Sequence, residues 1–594
     1  MAKALKGKPP QRGKREDHPA AAAPNLGRRF PLLAPVAFAA ALFTLGFLIY
    51  QPALSGTFVF DDFDLREGAS TVRLGDFGLL VSSGRPVLMA TYVANHRLSG
   101  FEPYPFHFTN IFLHCLNALL LWRLLASLFA GGRLDDLAPR PLRSALIYGV
   151  PLLFLTSPIQ TESVAYISSR SEVLAATFFL AALWVFVSPL RERHPWAAAL
   201  LVLFFFAGSL GSKQDKLMLP LVILLLDYLL IARLDWRRLR DNWRIYGLFL
   251  AGGVAGFLLV IRPFLFAQSA GFTLDWQPYL YTQFRMYFLY LKLLLVPFGL
   301  NADYDIAPST TLGEHLSWAA LLLLIALVAA VVRYHRRAPL VAFGTLFFFV
   351  VLAPTSSFFP ILDYAAERRL YLPSVGFFLA VLPLLFWSLR PSGRVLAGLL
   401  AAVTLVYAVG THQRSQVWSD ELSLWRDTVE KSPAKYRPWT WLGKVQNERG
   451  DYTGAIQSWE KAAALAKQGS SDHAHLLNNL GLAYANLQDR SRALAYYQQA
   501  LAILPTEGQF WANLAVAQLR LNDQQGWQSF AKAVQHARGR PTVFLLRGQE
   551  YYQAGRYEEA AADFRHALEI QPEDETARRN LEAAEAMLRR TRSQ

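Results

Sequence analysis

The chain has 594 residues, of which 53% are hydrophobic and 17% charged, a balance that excludes an ordinary soluble globular protein. Much of its formal net charge of +15 sits in an N-terminal tail (Lys3, Lys6, Lys8, Arg12, Lys14, Arg15, Arg28, Arg29) and in short loops between apolar runs. That is the pattern of topology-setting cations and not of a nucleic-acid surface. A single cysteine, Cys115, excludes an intrachain disulfide or a thiolate metal site.

Residues 1–30 are rich in Pro and Ala, lack periodicity and read as a disordered basic cytoplasmic tail. No short apolar stretch leads to a small-residue cleavage site, so Pro31 to Tyr50 reads as an uncleaved first span. Long apolar runs continue to about Gly410, and residues 31–411 read as a polytopic membrane domain. Spans are expected near 31–51, 108–130, 142–158, 171–190, 196–211, 217–233, 245–266, 315–333, 338–354, 372–389 and 393–411. Cationic loops at Arg133 to Arg143, Arg191 to His194, Arg233 to Arg244, Arg333 to Arg337 and Arg390 to Arg394 then share one side, the cytoplasmic one. Thr282 to Leu300 carries Arg285, Lys292 and Pro297 and reads as an interfacial or re-entrant helix. With that choice the C-terminal part, residues 412–594, is extracytoplasmic. It holds no Asn-x-Ser/Thr acceptor and no Cys, which points to a bacterial periplasm.

The polar C-terminal part shows tetratricopeptide spacing near 436–469, 474–507, 508–540 and 541–574, with a capping helix at 575–590. Gly443, Gly481 and Gly548 each precede an aromatic residue (Trp459, Tyr497, Phe564) by the same interval. The third repeat, with Ala515 and Phe530, is one residue short between its helices. Small residues let paired helices approach closely, and the aromatics fill the remaining gap. Such repeats bind peptides or partner proteins.

Chemistry-bearing residues concentrate in the loops expected outside. Asp61 and Asp62 follow the first span directly. Such a pair suits a general base for a hydroxyl or a divalent-cation ligand, and equally an exposed loop acid or helix N-cap. Glu162 and Arg170 lie at the same boundary, where Glu162 and Glu172 also suit helix starts. Arg85, Lys213, Lys216, Arg262, Arg368 and Arg369 are cations on the face where positive-inside sorting disfavours them. As a cluster they suit a lipid phosphate; singly, each suits snorkelling or a loop.

Five stretches carry a family resemblance: "FVFDDFD" at Phe58, "SGRPVLMATYVANHRLSGFEPYPFHFTNIFLHCLNALL" at Ser83, "SPIQTESVAYISSRSEVLAA" at Ser157, "GSKQDK" at Gly211 and "AERRLYLPSVGF" at Ala366. The chain resembles the transmembrane and tetratricopeptide-repeat O-mannosyltransferases of the GT-C class of glycosyltransferases and their bacterial relatives. The resemblance implies an all-α fold, a polytopic GT-C-like membrane domain followed by a tetratricopeptide-repeat α-solenoid. It implies transfer of a sugar from a polyprenyl-phosphate donor to a hydroxyl, a Ser or Thr of an exported protein in the eukaryotic branch, with inversion.

By the same resemblance the base is Asp61 or Asp62, with Asp62 preferred, and Glu162 is the second external acid. Arg85, Lys213 and Arg262 become phosphate contacts, with Arg170 and Arg368 as further donor-site cations. No metal or other cofactor is implied, although Asp61 and Asp62 leave a divalent cation open. Expected partners are the lipid-linked sugar, a protein or peptide acceptor held by the repeats, and membrane lipids, with no nucleic acid. Two departures stand out: "HPxHTE" is Ser157-Pro158-Ile159-Gln160-Thr161-Glu162 here, and "SKE" is Ser212-Lys213-Gln214. Competing readings are a non-catalytic repeat scaffold for envelope assembly and a polysaccharide ligase or polymerase using lipid-linked sugars.

Overall fold

A computed structural model describes residues 33–62, 72, 75–132, 134–256, 275–537, 539–572 and 574–593. Among these the regular structure is all helical, with no strand. The all-α reading holds: apolar membrane helices come first and a helical repeat solenoid follows.

Among the described residues five helices are long and apolar enough to cross a bilayer alone: Pro103–Leu128, Ile167–Val187, Pro195–Ser212, Glu314–Tyr334 and Gly393–Trp418. A pair of helices, Arg140–Thr156 and Pro158–Ala165, bent at 52°, passes the same test only when taken together, as a broken span or a re-entrant loop. Ala34–Ile49, Pro339–Thr355 and Pro373–Leu389 are apolar but shorter. The expected span near 217–233 is a short helix, Leu219–Leu226, that widens into a wider turn, Asp227–Ile231. The one near 245–266 is helical over Trp243–Gly256 and otherwise lies outside the described residues.

Side-chain bonds sort the loops onto two ends of this bundle. At one end Arg143 pairs with Asp135, Arg233 with Asp136, and Arg191 donates to Asn242 at 3.3 Å. At the other end Asp62 meets Ser168, Glu172 meets Lys213, and Glu162 meets Arg368. The helix Trp276–Leu295 starts at this second end, where Tyr279 donates to the Thr355 carbonyl at 2.7 Å, and its last turn meets the middle of Gly393–Trp418, where Tyr407 donates to the Leu294 carbonyl at 3.3 Å.

Helices Pro339–Leu352 and Pro373–Leu389 pack backbone to backbone. A Cβ at Gly344 would lie 2.6 Å from the Gly376 carbonyl oxygen, and one at Gly376 would lie 2.7 Å from the Phe348 nitrogen. Close approach through small residues is how membrane helices gain dispersion contact where lipid offers no hydrophobic drive.

The repeats use the same device. A Cβ at Gly443 would come within 2.6 Å of Trp459, at Gly481 within 2.5 Å of Tyr497, and at Gly548 within 2.7 Å of Phe564. The short third repeat keeps Ala515 and Phe530 in its core, and its second helix, Gly526–Gln535, has 10 residues against 14 in Tyr452–Leu465.

Replacing Gly376 by Val forces backbones apart inside the bundle, at a cost of about 1–3 kcal/mol. The expected outcome is a lower melting temperature in detergent for Gly376→Val, with Gly398→Val, whose Cβ meets nothing, as the unaffected control.

Candidate active site at the junction of the two domains

After the first span the chain turns back over the bundle. The Thr57 N–H donates to the Ser419 carbonyl at 3.2 Å, tying this loop to the end of the last membrane helix. Phe58 packs on Phe106 with ring centres 5.7 Å apart. Phe60 then takes a left-handed backbone, φ 54°, which turns the next two residues in different directions.

Asp62 is fully buried. Its Oδ1 accepts the Ser168 N–H at 2.7 Å and the Ser168 hydroxyl at 2.6 Å, while Oδ2 accepts the Val59 N–H at 3.2 Å. Burial pushes its carboxyl up to about 7 in spite of these bonds. Asp61 is exposed, and its N–H donates to the Tyr166 hydroxyl at 3.2 Å. Two adjacent aspartates thus have opposite environments, one facing solvent and one fastening the loop.

Glu162 sits just past the bend at Ser157 and is 1% exposed. It accepts the Arg368 N–H at 2.8 Å and pairs with the Arg368 guanidinium. Burial opposes that charge, but Glu162 and Asp363 outweigh it and hold Arg368 protonated above the usual range.

An unbroken chain of ion pairs continues from there. Arg368 is 3.2 Å from Asp363, Asp363 is 2.7 Å from Arg437, and Arg437 Nε donates to Asp303 at 2.7 Å. Lys435 closes it on Asp303 at 2.6 Å. Lys435 and Arg437 stand at the start of the first repeat, so the chain runs from Glu162 into the repeat domain. Burial would raise Asp363; Arg437, Arg368 and Arg369 hold it below the usual carboxylate range.

The remaining cations divide into three kinds. Lys213 and Lys216 share the carboxylate of Glu172, Lys216 at 2.8 Å, and Lys216 also reaches Asp215 at 2.9 Å. Arg85 starts the helix Pro86–Ser99 and is brought beside this cluster, because Gln214 donates to the Gly84 carbonyl and Gly211 packs on Val87. Arg170 is wholly buried: Nε donates to Asn110 at 2.7 Å, and the terminal nitrogens donate to Asn95 at 2.6 Å and the Phe106 carbonyl at 2.9 Å. Arg369 is likewise engaged by backbone carbonyls, including Tyr364 at 3.2 Å. Arg262 lies outside the described residues.

Sequence reasoning did not single out Glu367, which is fully buried. It accepts from the Tyr304 hydroxyl at 2.8 Å and from the Asn301 N–H. Burial lifts it to about 7. The one available signal was an acid placed directly before two arginines in an outer loop. Among the described residues no three His, Cys, Asp or Glu side chains converge as a metal site.

Comparison with known proteins agrees with this architecture. Tetratricopeptide-repeat families match residues 436–506 and 541–574. A Caenorhabditis elegans protein O-mannosyl-transferase is 26% identical over 436 residues, covering 69% of this chain and 60% of its own length. The human protein O-mannosyl-transferase TMTC4 is 25% identical over 493 residues, covering 70% of this chain and 64% of its own length. The Drosophila melanogaster protein O-mannosyl-transferase Tmtc3 is 25% identical over 489 residues, with 71% and 52% covered. The chain thus aligns with under two thirds of each of these relatives. Over about 70% of its length this multi-pass membrane protein is similar to protein O-mannosyl-transferases of worm, human and fly.

Proposed function

We propose that this protein is a membrane glycosyltransferase of the GT-C class, moving a sugar from a polyprenyl-phosphate donor to a Ser or Thr hydroxyl of an exported protein. The observation that carries the reading is the exposed Asp61, set beside Tyr166 at the end of the bundle that also holds Glu162, Arg368 and the repeats. The relatives' activity, O-mannosyl transfer, makes mannose the sugar to test first. The arginine-rich loops at the opposite end favour a cytoplasmic N-terminus with the repeats on the outer, periplasmic side.

In this reading Asp61 is the general base. It takes the proton of the acceptor hydroxyl as that oxygen attacks the anomeric carbon. The bond from that carbon to the donor phosphate oxygen breaks, and a single displacement inverts the centre. Arg85 and Lys213, with Lys216 behind, receive the departing phosphate charge. Asp61 is chosen over Asp62, the sequence preference, because the Asp62 oxygens accept three bonds from within the protein, which supports a role for Asp62 in fastening the loop that presents Asp61. Glu162 and Arg368 border the acceptor side, and the buried Arg170 ties the first turns of Pro103–Leu128 to the helix that starts at Arg170. The unit at 412–594 is the acceptor-handling half and residues 31–411 the donor-handling half.

Asp61→Asn should lower kcat by about 10²–10⁴-fold, the usual worth of a positioned base, without changing the donor KM or the melting temperature. Full transfer by that variant would remove Asp61 from the mechanism, and no consumption of lipid-linked sugar by the wild type would favour a scaffold.

Asp62 carries a separate pH signature. Its folded value of about 7 exceeds the roughly 3.9 of an unstructured aspartate. The folded state therefore binds this proton more tightly, a contribution complete below about pH 4 and lost as pH rises through 7. Glu367 acts in the same direction. Thermal melts from pH 4 to 8 should show stability falling with pH, with a shallower fall for Asp62→Asn and a shallower one still when Glu367→Gln is added.

A further inference from the structure

Phe60, immediately before Asp61, is an outlier in two respects. It is a large non-glycine residue at φ 54°, a left-handed conformation that costs about 1–3 kcal/mol unless the surroundings enforce it. Its ring is also shared between two separate apolar clusters. One contains Ala53, Ala165, Tyr166 and Trp418 of the membrane domain; the other contains Trp425, Val429, Leu442 and Val445 on the repeat side.

The contacts are specific. Phe60 meets Trp425 and Trp441 edge-on with ring centres 5.5 Å away in each case, and those two indoles stack on each other at 5.7 Å and 9°. On its other side it meets Tyr166 at 6.1 Å, and Tyr166 stacks on Trp418 at 5.6 Å. Glu421, on the helix Glu421–Lys431 that leads into the repeats, has its carboxyl pushed up by burial, against the opposing effect of the Phe60 backbone N–H beside it. Trp441 belongs to Tyr436–Glu448, the first helix of the first repeat, and Lys444 lies over its ring at 4.8 Å.

Asp61 is therefore placed by two anchors. Its N–H reaches Tyr166, and the residue before it is wedged into an aromatic corner built mainly by the repeat side. We propose that Phe60 is a positioning residue through which the first repeat holds the Asp61 carboxylate in its working place. An acceptor polypeptide resting on Trp441 and Lys444 is then coupled to the base through one ring. This inference rests on the proposed role of Asp61. The repeats, on this view, do more than retain the acceptor: their first helix completes the catalytic loop.

The test uses the full-length protein in detergent with polyprenyl-phosphate mannose and a Ser/Thr-rich peptide. Phe60→Asn keeps a residue that tolerates left-handed backbone but removes the ring, and Phe60→Tyr restores the ring. Expected for Phe60→Asn, assayed well below its melting point, is a fall in kcat of about 10²-fold, the scale of a misplaced catalytic group, with donor KM unchanged and the melting temperature lowered by the lost ring packing. Phe60→Tyr should recover most of that loss, and Trp441→Ala should reproduce the fall in kcat. Wild-type kcat for Phe60→Asn overturns the proposal, as does a kcat loss that tracks a lowered melting temperature and that Phe60→Tyr does not restore. Asp61→Asn in the same series separates the two readings. If it is inactive while Phe60→Asn is fully active, only the positioning role falls; if it is active, the assignment of the base falls.

Discussion

The arrangement depends on a buried carboxylate whose cationic partners come from a distant part of the chain. Asp303 lies in a loop of the membrane domain and is 5% exposed, and its partners Lys435 and Arg437 come from the start of the first repeat. Leaving such a group unpaired inside a low-dielectric contact costs several kcal/mol, so the geometry that supplies its cations is strongly selected over others. Asn301 donating to Ser432 and Lys431 donating to the Leu300 carbonyl repeat the same tie with neutral acceptors. The repeats are thus fixed on one end of the bundle, and Arg437 extends the link through Asp363 and Arg368 to Glu162.

A buried ion-pair chain is a poor source of net stability but a good source of register. Each member is satisfied only when its neighbours are in place, and the apolar corner around Phe60 supplies the packing energy that the charges do not. Polar ties and aromatic packing act on the same short loop from different sides. That explains how a segment with no regular structure can present Asp61 outward while Asp62 is wholly enclosed.

Periodic features were legible in the sequence. The glycine-to-aromatic interval of the repeats translates directly into helix contacts at Gly443, Gly481 and Gly548, and the one-residue deficit of the third repeat appears as a shortened helix. Apolar runs gave the membrane helices, although several fall short of a full bilayer thickness. Pairings between distant segments were not legible. Glu172 lies about forty residues from Lys213 and Lys216, and Asp303 more than 130 from Lys435, distances at which no spacing rule applies. Direction was equally hidden. Arg170 reads on paper like any other boundary cation, yet it turns inward onto Asn95, Asn110 and the Phe106 carbonyl, because those acceptors line the interior there.

The central claim is that the carboxylates of the junction and the repeats stand on one side of the membrane, with the arginine-rich loops on the other. The lone native cysteine, Cys115, is buried, which suits single-cysteine labelling once it is replaced by serine. Cysteines placed at Ser83, at Thr453 in the first repeat and at His335 between two spans can be probed with a membrane-impermeant maleimide in sealed right-side-out and inverted vesicles. The account predicts that the first two label together from the outside and that His335→Cys labels only in inverted vesicles. Labelling of Thr453→Cys from the same side as His335→Cys would contradict it.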